Sequence, residues 1–487
     1  MTDHADLAAA VPLLAEARAL CVGDVMLDRF VYGNVDRISP EAPIPVLRIE
    51  REQAMLGGAG NVVRNLVGLR AHVEFISVVG NDLAGREVTQ LVGALDNVEP
   101  HLLVQAKRQT TIKSRFVAGS QQLLRADAET VAPVVETTED DIIRLASAAL
   151  ADCKVVVISD YAKGVLSPRA VKAIIAAARV AGRPTVVDPK GADYQRYAGA
   201  TIVTPNRREL AEATGLTVRS DDEVEFAARQ LIAACDLQAV LCTRGAEGMS
   251  LVPKNGPARV IPTRAREVFD VSGAGDTVIA TLAAGLAAGL NVEAAAALAN
   301  VAAGIVVGKV GTAVAYADEL LHALRQEDLA AEERKIASLE EALDMVARWR
   351  RQGLKVGFTN GCFDLLHPGH ISLMQQARRA CDRLIVGLNS DASVKRLKGP
   401  ERPVQTETAR AAVLASLATV DLVVVFGADT PLTLIEALRP DVLVKGADYT
   451  VEQVVGAEQV RSWGGRVVLA DLAAGHSTSA TIKRIAG

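Results

Sequence analysis

The sequence is poor in aromatic side chains, which make up 3% of its 487 residues. Proteins that hold single-stranded nucleic acid stack its bases on aromatic rings, so this scarcity argues against that function. The net charge of −5 also argues against a general nucleic-acid binder, because it leaves no excess of positive charge for a phosphate backbone. We expect no nucleic-acid partner, and any site for an anionic substrate must be local.

Cysteine is sparse too, with six residues and no CxxC pair. The spacing of a zinc ribbon or of a thioredoxin-like motif is therefore missing, and this usage is typical of a reducing cytoplasm. The N-terminus carries Asp3, Asp6 and Glu16 without a basic start, so we expect no signal peptide. The most apolar region, 277–308, is interrupted by Glu293, and no uncharged run reaches the ~18 residues of a membrane span. We expect a cytoplasmic protein without membrane insertion.

The length and the apolar pattern predict an α/β protein with more than one domain. Short apolar runs at 154–159, 184–188, 200–204 and 239–243 alternate with helical sequence, as in a mainly parallel sheet covered by helices on both faces. Polar residues follow successive runs, and ligands bind at the carboxyl edge of such sheets. A binding site is therefore expected at that edge.

Residues 31–49 and 110–125 interrupt this alternation with β segments that are joined by turns. Between these stretches, Gly57 and Gly58 lead into a helix that carries Asn61, and the glycines permit close approach of the backbone to a ligand. We predict that the β segments form a small lid over the site, and that two copies of the chain pair through this lid as a homodimer.

Three further side chains are candidates for substrate binding. Asp24 and Asp28 lie at and after the end of an apolar run at 19–25, and Lys163 lies in the loop after 154–159. Carboxylates at the end of a strand can accept hydrogen bonds from sugar hydroxyls. For the two aspartates, an ordinary position in a surface loop is the alternative.

Asn206 and Glu209 lie three residues apart at the start of a predicted helix, so their side chains can share one face. Magnesium takes oxygen ligands, keeps several waters and binds beside substrate phosphates, and Glu209 can orient such a hydrated ion. A role limited to capping the helix is the alternative for this glutamate.

The segment 269–277 supports the main chemical prediction. Gly273 and Gly275 form a tight turn before a long apolar helix, whose first N–H groups hold anions well. An aspartate is unexpected in a site that only binds phosphate, because the two negative charges repel. Asp276 is explained if it takes a proton from a hydroxyl while the N–H groups stabilise a phosphoryl group in transfer. Taken alone, the motif also fits a glycine turn that only caps a helix.

In chain order, the segments around Gly57, Asn206 and Asp276 resemble the motifs of the ribokinase-like (PfkB) carbohydrate kinase family, over residues 15–320. This resemblance implies a three-layer α/β domain with a β lid, ATP and Mg²⁺ as cofactors, and a sugar or sugar phosphate as acceptor. It implies that Asp276 is the catalytic base. It also implies an anion hole of N–H groups at Gly273, Ala274 and Gly275, and a nucleotide and metal site at Asn206, Arg207, Arg208 and Glu209. Thr204 departs from the pattern, since many members have Asn-Pro where this chain has Thr204-Pro205.

A second domain is predicted after a helical join, in which Ser338 and Glu341 have the spacing of a capping box. Apolar runs after this join alternate with helical sequence, which predicts a smaller, Rossmann-like parallel sheet. The runs are 383–389, 421–426, 441–445 and 466–470. The predicted division is 1–325 for the first domain, 326–353 for a helical linker and 354–487 for the second domain.

The most specific motif of the second domain is 359–370, where a strand ends in a polar turn before a helix. His367 and His370 are separated by proline and glycine, so both rings can face one phosphate near the helix N-terminus. As donors to phosphate oxygens, they would stabilise charge that grows on the α-phosphate as pyrophosphate leaves. A zinc site is the competing interpretation, but no third ligand is evident in the sequence.

This motif resembles the signature of the cytidylyltransferase-like nucleotidyltransferase family, and the resemblance covers 354–487. It implies that a substrate phosphate attacks the α-phosphate of a nucleoside triphosphate and that pyrophosphate leaves. Nucleotide phosphates are expected at Thr359, at Lys445 after a strand, and at Ser477 and Thr478 at a helix start.

The order of the two domains resembles the family of bifunctional enzymes that make ADP-heptose for the lipopolysaccharide core. That resemblance implies phosphorylation of heptose 7-phosphate at C1 with ATP, and adenylyl transfer from ATP to heptose 1-phosphate. The residues themselves predict only phosphoryl transfer and nucleotidyl transfer. Another sugar phosphate, CTP as the donor, or a sensor that binds without turnover are the alternatives.

Overall fold

The structure is a computed structural model that describes residues 4–119, 121–263, 268–309, 311–333, 335–446 and 450–471. Contacts between residues divide the chain into two compact units, Met1–Arg325 and Gln326–Gly487. Among the described residues, no helix combines the length and the apolar character that a membrane crossing needs.

The first unit alternates strands and helices along most of its length. Its described strands are β1 (Arg18–Gly23), β2 (Val25–Ile38), β3 (Pro45–Gly58), β4 (His72–Gly80), β5 (Val98–Gln105), β6 (Ile112–Ala118), β7 (Gln121–Ala128), β8 (Val155–Ser159), β9 (Thr185–Asp188), β10 (Ile202–Val203), β11 (Ala239–Thr243), β12 (Met249–Pro253) and β13 (Arg259–Ile261). Its described α-helices are α1 (His4–Ala10), α2 (Ala59–Gly68), α3 (Leu83–Gly93), α4 (Glu136–Ala149), α5 (Pro168–Val180), α6 (Arg207–Thr214), α7 (Asp221–Cys235), α8 (Ala274–Ala287) and α9 (Val292–Val306). A further helix, α10 (Ala317–Glu333), begins in the first unit and ends in the second.

Within the described residues, nine strands form one large sheet in the order β13-β12-β11-β10-β9-β8-β1-β4-β5. Neighbouring strands are parallel from β11 to β5, and β12 and β13 run antiparallel at one edge. The central strands β1 and β8 are buried along almost their whole length. Burial on both faces explains why the sequence shows continuous apolar runs here instead of alternation.

Helices cover both faces of this sheet. On one face, α2, α8 and α9 pack into a core that includes Ile279 and Leu298. On the other face, α4, α5 and α7 pack into a second core that includes Ile174 and Val224. The predicted three-layer α/β arrangement is confirmed.

A separate four-stranded sheet of order β3-β2-β6-β7 forms the predicted lid. Asp24 separates β1 from β2, and β3 returns antiparallel to β2 and ends at Gly58. Gly58 has a φ of 56°, a conformation that favours glycine, and it turns the chain into α2. A Cβ on Gly58 would lie 2.5 Å from the carbonyl oxygen of Asp24, so any other side chain would disturb this junction.

The second unit contains a smaller sheet with helices between its strands. Its described strands are β14 (Ile336–Ala337), β15 (Val356–Gly361), β16 (Arg383–Asn389), β17 (Leu422–Phe426), β18 (Val442–Gly446) and β19 (Arg466–Ala470). Its described helices are α11 (Leu339–Arg351), α12 (Pro368–Ala380), α13 (Asp391–Lys398), α14 (Glu407–Ala415), α15 (Leu432–Leu438) and α16 (Ala457–Ser462).

The strands of this second sheet are parallel and follow the order β14-β17-β16-β15-β18-β19. From β15 the chain first proceeds to β16 and β17 on one side, and later to β18 and β19 on the other. Ligands bind in the crevice that such a reversal opens at the carboxyl ends of the strands. The Rossmann-like prediction is confirmed, and the crevice falls directly after β15.

The segment predicted as a linker, 326–353, falls within the second unit. β14 joins the sheet beside β17, and α11 buries Val346 and Trp349 in the core of this unit. α11 begins with the expected capping box, in which the Ser338 N–H donates to the Glu341 carboxylate at 2.8 Å and the Glu341 N–H donates to Ser338 Oγ at 3.3 Å. The alanines and mixed charges of this segment favoured the prediction of a linker. Its apolar residues nevertheless recur at helical spacing and bury one face of the helix.

We predict that Val346→Ala lowers the free energy of unfolding of the second unit by about 2 kcal/mol, because it leaves a cavity in a packed core. Val346 is 1% exposed, whereas Leu343 on the same helix is 39% exposed, so Leu343→Ala should cost about 1 kcal/mol or less. Urea unfolding followed by tryptophan fluorescence measures this, since both tryptophans of the chain, Trp349 and Trp463, lie in the second unit. Two equally small losses would show that α11 is only a spacer.

Candidate active sites

Gly273 sets the start of α8 and thereby the position of Asp276 in its first turn. The φ of Gly273 is 79°, and a Cβ there would lie 2.8 Å from Asn61 Nδ2 and 2.7 Å from Thr312 Cγ2. Only glycine leaves room for these neighbours. The space beside Gly275 is open. The turn therefore brings a carboxylate, the N-terminus of a helix and room for a ligand to one point.

Both carboxylate oxygens of Asp276 accept hydrogen bonds, and the side chain is only 5% exposed. Tyr161 Oη donates to Oδ1 and Asn61 Nδ2 donates to Oδ2, each at 2.7 Å. Burial raises the pKa of Asp276 to about 6, whereas the two hydrogen bonds lower it and nearby Asp28 raises it further. A carboxylate with this pKa is deprotonated at neutral pH and is still basic enough to accept a proton from a bound hydroxyl.

Asn61 presents its amide nitrogen to the carboxylate because its amide oxygen is held from the other side. Arg64 Nη1 donates to Asn61 Oδ1 and to the carbonyl oxygen of Thr312, both at 3.2 Å. One turn further along α2, Asn65 Oδ1 accepts a hydrogen bond from Thr277 Oγ1 at 2.9 Å. Helices α2 and α8 are therefore joined by buried polar contacts at two successive turns.

Asp24 holds the loop that follows β8. Its carboxylate accepts hydrogen bonds from the N–H groups of Tyr161 at 2.9 Å, Lys163 at 3.1 Å and Val165 at 3.0 Å. Asp24 is 1% exposed, and burial raises its pKa. The sequence predicted Asp24 as a substrate ligand, whereas the contacts that the structure gives it are with this loop. Through the loop, Asp24 positions the Tyr161 hydroxyl on Asp276.

Of the other predicted substrate residues in the first unit, Asp28 lies close enough to Asp276 to raise its pKa. Asp28 Oδ1 accepts a hydrogen bond from Arg115 Nη1 at 2.8 Å, and a Cβ on Gly57 would collide with Asp28 Oδ2. Lys163 Nζ pairs with Glu129 at 2.8 Å. A surface-loop position is therefore wrong for Asp28, which is a buried residue of the lid strand β2.

Asn206 and Glu209 form a reciprocal capping box at the start of α6. Asn206 Oδ1 accepts from the Glu209 N–H, and Glu209 Oε2 accepts from the Asn206 N–H, each at 3.0 Å. The other oxygen of Glu209, Oε1, pairs with Lys190 Nζ at 3.1 Å. The structure thus shows the capping role of Glu209, and it also places the Glu209 carboxylate beside the ammonium group of Lys190.

Asp188, at the end of β9, adds a carboxylate that the sequence had not singled out. Burial raises its pKa well above the usual range, nearby Asp276 and Glu209 raise it further, and Lys190 lowers it. A single aspartate after a strand matches no motif, so only the position of the strand end could have suggested it. The negative charges of Asp276 and Glu209 near Asp188 favour binding of a cation beside it.

The two arginines between Asn206 and Glu209 are engaged elsewhere. Arg207 pairs with Glu247, and the exposed Arg208 pairs with Glu212 at 2.7 Å. The ion pairs that the structure gives these two guanidinium groups are with glutamates other than Glu209. Their prediction as nucleotide ligands rested only on their place in the chain beside Glu209.

Asp270 anchors the turn that precedes α8. Its Oδ1 accepts from the Ser272 N–H at 2.8 Å, and its Oδ2 accepts from the Gly311 N–H at 3.2 Å. Within the turn, the Ala274 N–H donates to the carbonyl oxygen of Val271 at 3.2 Å. Of the three N–H groups predicted as an anion hole, that of Ala274 is therefore already engaged in the turn.

In the second unit, His367 and His370 lie at the start of α12, directly after the crevice at β15. Their rings stack with centroids 3.8 Å apart, and Phe363 packs edge-on against His370 at 5.1 Å. Burial lowers the pKa of His370 to about 4, and nearby His367 lowers it further. His370 is therefore neutral at neutral pH, and it can donate one N–H to a phosphate oxygen.

Thr359 and Lys445 lie on the neighbouring strands β15 and β18, beside the same turn. Lys445 Nζ donates to the carbonyl oxygen of Asn360 at 2.9 Å. Within the described part of the chain, the buried Oγ1 of Thr359 and Oδ1 of Asn360 have no hydrogen-bond partner. Buried polar atoms are rarely left unpaired, so these two indicate a place for a polar ligand.

Two buried charges hold the histidine turn in place. Arg410 is 1% exposed and donates to the carbonyl oxygens of Cys362 at 2.6 Å and Asn389 at 2.9 Å. Asp364, within the turn, pairs with Arg402. No sequence pattern predicts the role of Arg410, because an arginine within an ordinary helical pattern is normally solvent-exposed.

Ser477 and Thr478, predicted as nucleotide ligands, lie outside the described residues. Over the ranges that the structure describes, no three histidine, cysteine, aspartate or glutamate side chains are grouped as direct ligands of a metal ion. The zinc interpretation of His367 and His370 therefore gains no third ligand from those ranges. The six cysteines are free thiols.

Profiles of two protein families match the two units. The family described as pfkB family carbohydrate kinase matches residues 16–319, and the family described as cytidylyltransferase-like matches residues 358–473. The first match includes Asp276, and the second includes both histidines of the crevice.

Curated relatives match nearly the whole chain. The protein named Bifunctional protein HldE from Paramagnetospirillum magneticum is 62% identical over 487 residues, which is 100% of both chains. Its namesake from Rhodospirillum rubrum is 58% identical and covers 99% of this chain and 97% of its own. The one from Caulobacter vibrioides is 56% identical and covers 96% of each.

Solved structures resemble the first unit in fold. Phosphofructokinase-2 from Escherichia coli, in complex with substrates and products, matches with a TM-score of 0.53 at 19% identity and covers 64% of this chain and 98% of its own. Ribokinase from Arabidopsis thaliana, complexed with ribose and ATP, matches with a TM-score of 0.50 at 19% identity and covers 63% and 98%. At such low identity the likeness shows the fold alone.

Tyr161→Phe should raise the pKa of Asp276 above about 6, because it removes a hydrogen bond that stabilises the charged carboxylate. A ¹³C NMR titration of the side-chain carboxyl groups measures this, with Asp276→Asn to assign the signal. Tyr32→Phe, a matched change on the lid, should leave the titration unchanged. An Asp276 pKa that stays the same or falls in Tyr161→Phe would contradict the assigned contact.

Proposed function

The chain belongs to the pfkB family of carbohydrate kinases through its first unit and to the family of bifunctional HldE proteins over its full length, and we propose on this basis that it catalyses two steps of ADP-heptose synthesis. In the first step, ATP phosphorylates heptose 7-phosphate at C1. A separate phosphatase then removes the 7-phosphate. In the second step, the AMP group of ATP passes to heptose 1-phosphate and pyrophosphate leaves. The observation behind the proposal is that a buried base and a stacked histidine pair lie in different units, each at a ligand edge of its own sheet.

Asp276 is the base of the kinase step in this proposal. It takes the proton of the C1 hydroxyl as that oxygen attacks the γ-phosphorus of ATP, and ADP leaves. The N–H groups at Gly273 and Gly275, at the positive end of α8, stabilise charge on the phosphoryl group in transfer. Because the pKa of Asp276 is about 6, its carboxylate is mostly deprotonated at neutral pH. The kinase rate should therefore fall as the pH drops through that value.

Magnesium is the metal ion that fits the charges of the first unit. Glu209 lies close enough to Asp188 to raise its pKa. Among the described residues, however, no three side chains of the types that ligate metals are grouped to hold an ion directly. That combination suits Mg²⁺, which keeps several waters and shares substrate phosphates. Asp188 and Glu209 would hold it, with Glu209 acting through water since its oxygens already serve the helix cap and Lys190. The ion would neutralise charge on the phosphates of ATP.

His367 and His370 serve the nucleotidyl step by donating hydrogen bonds to the phosphates of the second ATP. An oxygen of heptose 1-phosphate attacks the α-phosphorus, and the bond to pyrophosphate breaks. The neutral ring of His370 can donate its N–H to an oxygen on which the negative charge grows. Thr359 and Lys445 lie beside the same crevice, and Ser477 and Thr478 complete the proposed phosphate site.

We also propose that two copies pair through the lid. The lid strands and the turn between β2 and β3 carry apolar side chains that are more than half exposed, a property that favours contact between proteins. They are Ile38, Ile44, Ile49 and Leu124. The free thiols of the six cysteines suit the reducing cytoplasm, which is the compartment we propose for both reactions.

Asp276→Asn should lower the kinase rate by about 100- to 10,000-fold, because it removes the base. Release of pyrophosphate from ATP in the presence of heptose 1-phosphate should be unchanged in this variant. His367→Ala and His370→Ala should do the reverse, with losses of about 100-fold or more in the second step. Assays of ADP and of pyrophosphate on the full chain separate the two steps. Loss of both activities in one well-folded variant would show that the two sites are wrongly assigned.

Glu209→Gln should raise the Mg²⁺ concentration needed for half the maximal kinase rate, because an amide attracts a hydrated cation less strongly than a carboxylate. Glutamine still completes a capping box, so the helix should keep its start. Glu212→Gln, on the exposed side of the same helix, is the matched control. A kinase Mg²⁺ titration that is the same in wild type and Glu209→Gln would count against the proposed role.

A further inference from the structure

The lid places a lysine, Lys113, among charges that face the site. Lys113 lies on β6, in register with Asp28 of β2 and Asp127 of β7. Residues that pair across neighbouring strands point to the same face of a sheet, and so do residues two apart on one strand. Lys113, Arg115 and Arg125 are therefore three cations on one face of the lid, with Asp28 and Asp127 between them.

Lys113 differs from its neighbours because each carboxylate around it already pairs with another cation. Across the described residues, Lys113 makes no salt bridge and no hydrogen bond through its ammonium group. Its Nζ lies over the ring of Tyr161, 5.4 Å from the centroid. The three neighbouring ion pairs are Asp28 with Arg115 at 2.8 Å, Asp127 with Arg125 at 3.0 Å, and Glu129 with Lys163 at 2.8 Å.

The charges around Lys113 favour the binding of an anion. Burial lowers the pKa of its ammonium group, nearby Lys163 lowers it further, and Asp28 opposes this. A half-buried ammonium group beside a second one costs free energy unless a negative charge lies near both. The resident carboxylates do not supply that charge, since their own arginines and Lys163 hold them.

The position of Tyr161 indicates how far Lys113 lies from the catalytic base Asp276. Its hydroxyl donates to Asp276 at 2.7 Å, while its ring lies beneath Lys113. The cation therefore lies about one tyrosine side chain from the base. A sugar whose reacting hydroxyl lies at Asp276 would extend past Tyr161 with its far end near Lys113 and Lys163.

We propose that Lys113 and Lys163 bind the phosphate group that the acceptor sugar already carries, at the end opposite the hydroxyl that Asp276 deprotonates. This inference rests on the proposed function, because it assigns recognition of the 7-phosphate of heptose 7-phosphate. A dianionic phosphate accepts hydrogen bonds from both ammonium groups and cancels the excess charge. Lys163 exchanges Glu129 for the phosphate when substrate binds. Lys113 thereby selects a sugar phosphate over the free sugar.

Lys113→Gln in the full chain tests this assignment with two acceptors, heptose 7-phosphate and heptose. With the phosphate-bearing acceptor, kcat/KM should fall by about 10- to 100-fold, mainly through KM, because a charge-assisted hydrogen bond is lost. With the free sugar, kcat/KM should stay within about twofold. Lys113→Arg should recover most of the loss. Arg125→Gln, a change of a paired cation on the same face, is the matched control and should change the ratio between the two acceptors little.

Three outcomes would overturn the assignment. An equal loss with both acceptors would show that Lys113 acts only by positioning Tyr161. A raised KM for ATP, with the acceptor KM unchanged, would assign the cation to the nucleotide. A wild-type chain that phosphorylates no sugar 7-phosphate would refute the proposed function and this inference with it, which distinguishes that failure from the other two.

Discussion

The burial of one carboxylate, that of Asp276, is the constraint on which the first unit depends. A charge taken out of water is costly unless hydrogen bonds replace its hydration. Asn61 and Tyr161 supply those bonds, one to each oxygen. They lower the pKa that burial raises, and the balance leaves a base near pH 6 instead of a permanently protonated acid. The reactivity of the site is therefore set by how firmly these two donors are held.

Each donor is held in place by a further residue. Arg64 holds the amide oxygen of Asn61, and Asp24 accepts three backbone N–H groups from the loop that carries Tyr161. These contacts join α2, α8 and the loops after β1 and β8, all at the carboxyl edge of one sheet. A parallel sheet brings such distant segments together because every strand ends at the same edge. The three-layer fold thus supplies the precision that a buried base requires.

The sequence could predict the elements and the motifs but not the contacts between them. Apolar periodicity and glycine turns gave the strands, the two cores and the positions of Asp276 and His370. Tyr161 and Asp188 were not predicted as site residues, because a single polar residue after a strand has no distinctive spacing. Their roles depend on partners that are far away in the chain. Asp24 was predicted as a substrate ligand, but its three backbone N–H partners could not be predicted, since a carboxylate accepts from a sugar hydroxyl and from a backbone N–H equally well. α11 was taken for a linker because its few buried residues are hidden among alanines and charges.

The two sites differ in electrostatics because their nucleophiles differ. A sugar hydroxyl is a poor nucleophile until it loses its proton, so the first site needs a carboxylate whose pKa is raised by burial. A phosphate oxygen is already negative at neutral pH, so the second site needs no base. What it needs are donors for the leaving pyrophosphate that do not repel one another. His367 and His370 stack at 3.8 Å, a distance that two charged rings would resist, and the depressed pKa of His370 keeps that ring neutral. The buried carboxylate of one unit and the neutral His370 of the other therefore both depend on whether the attacking oxygen still carries a proton.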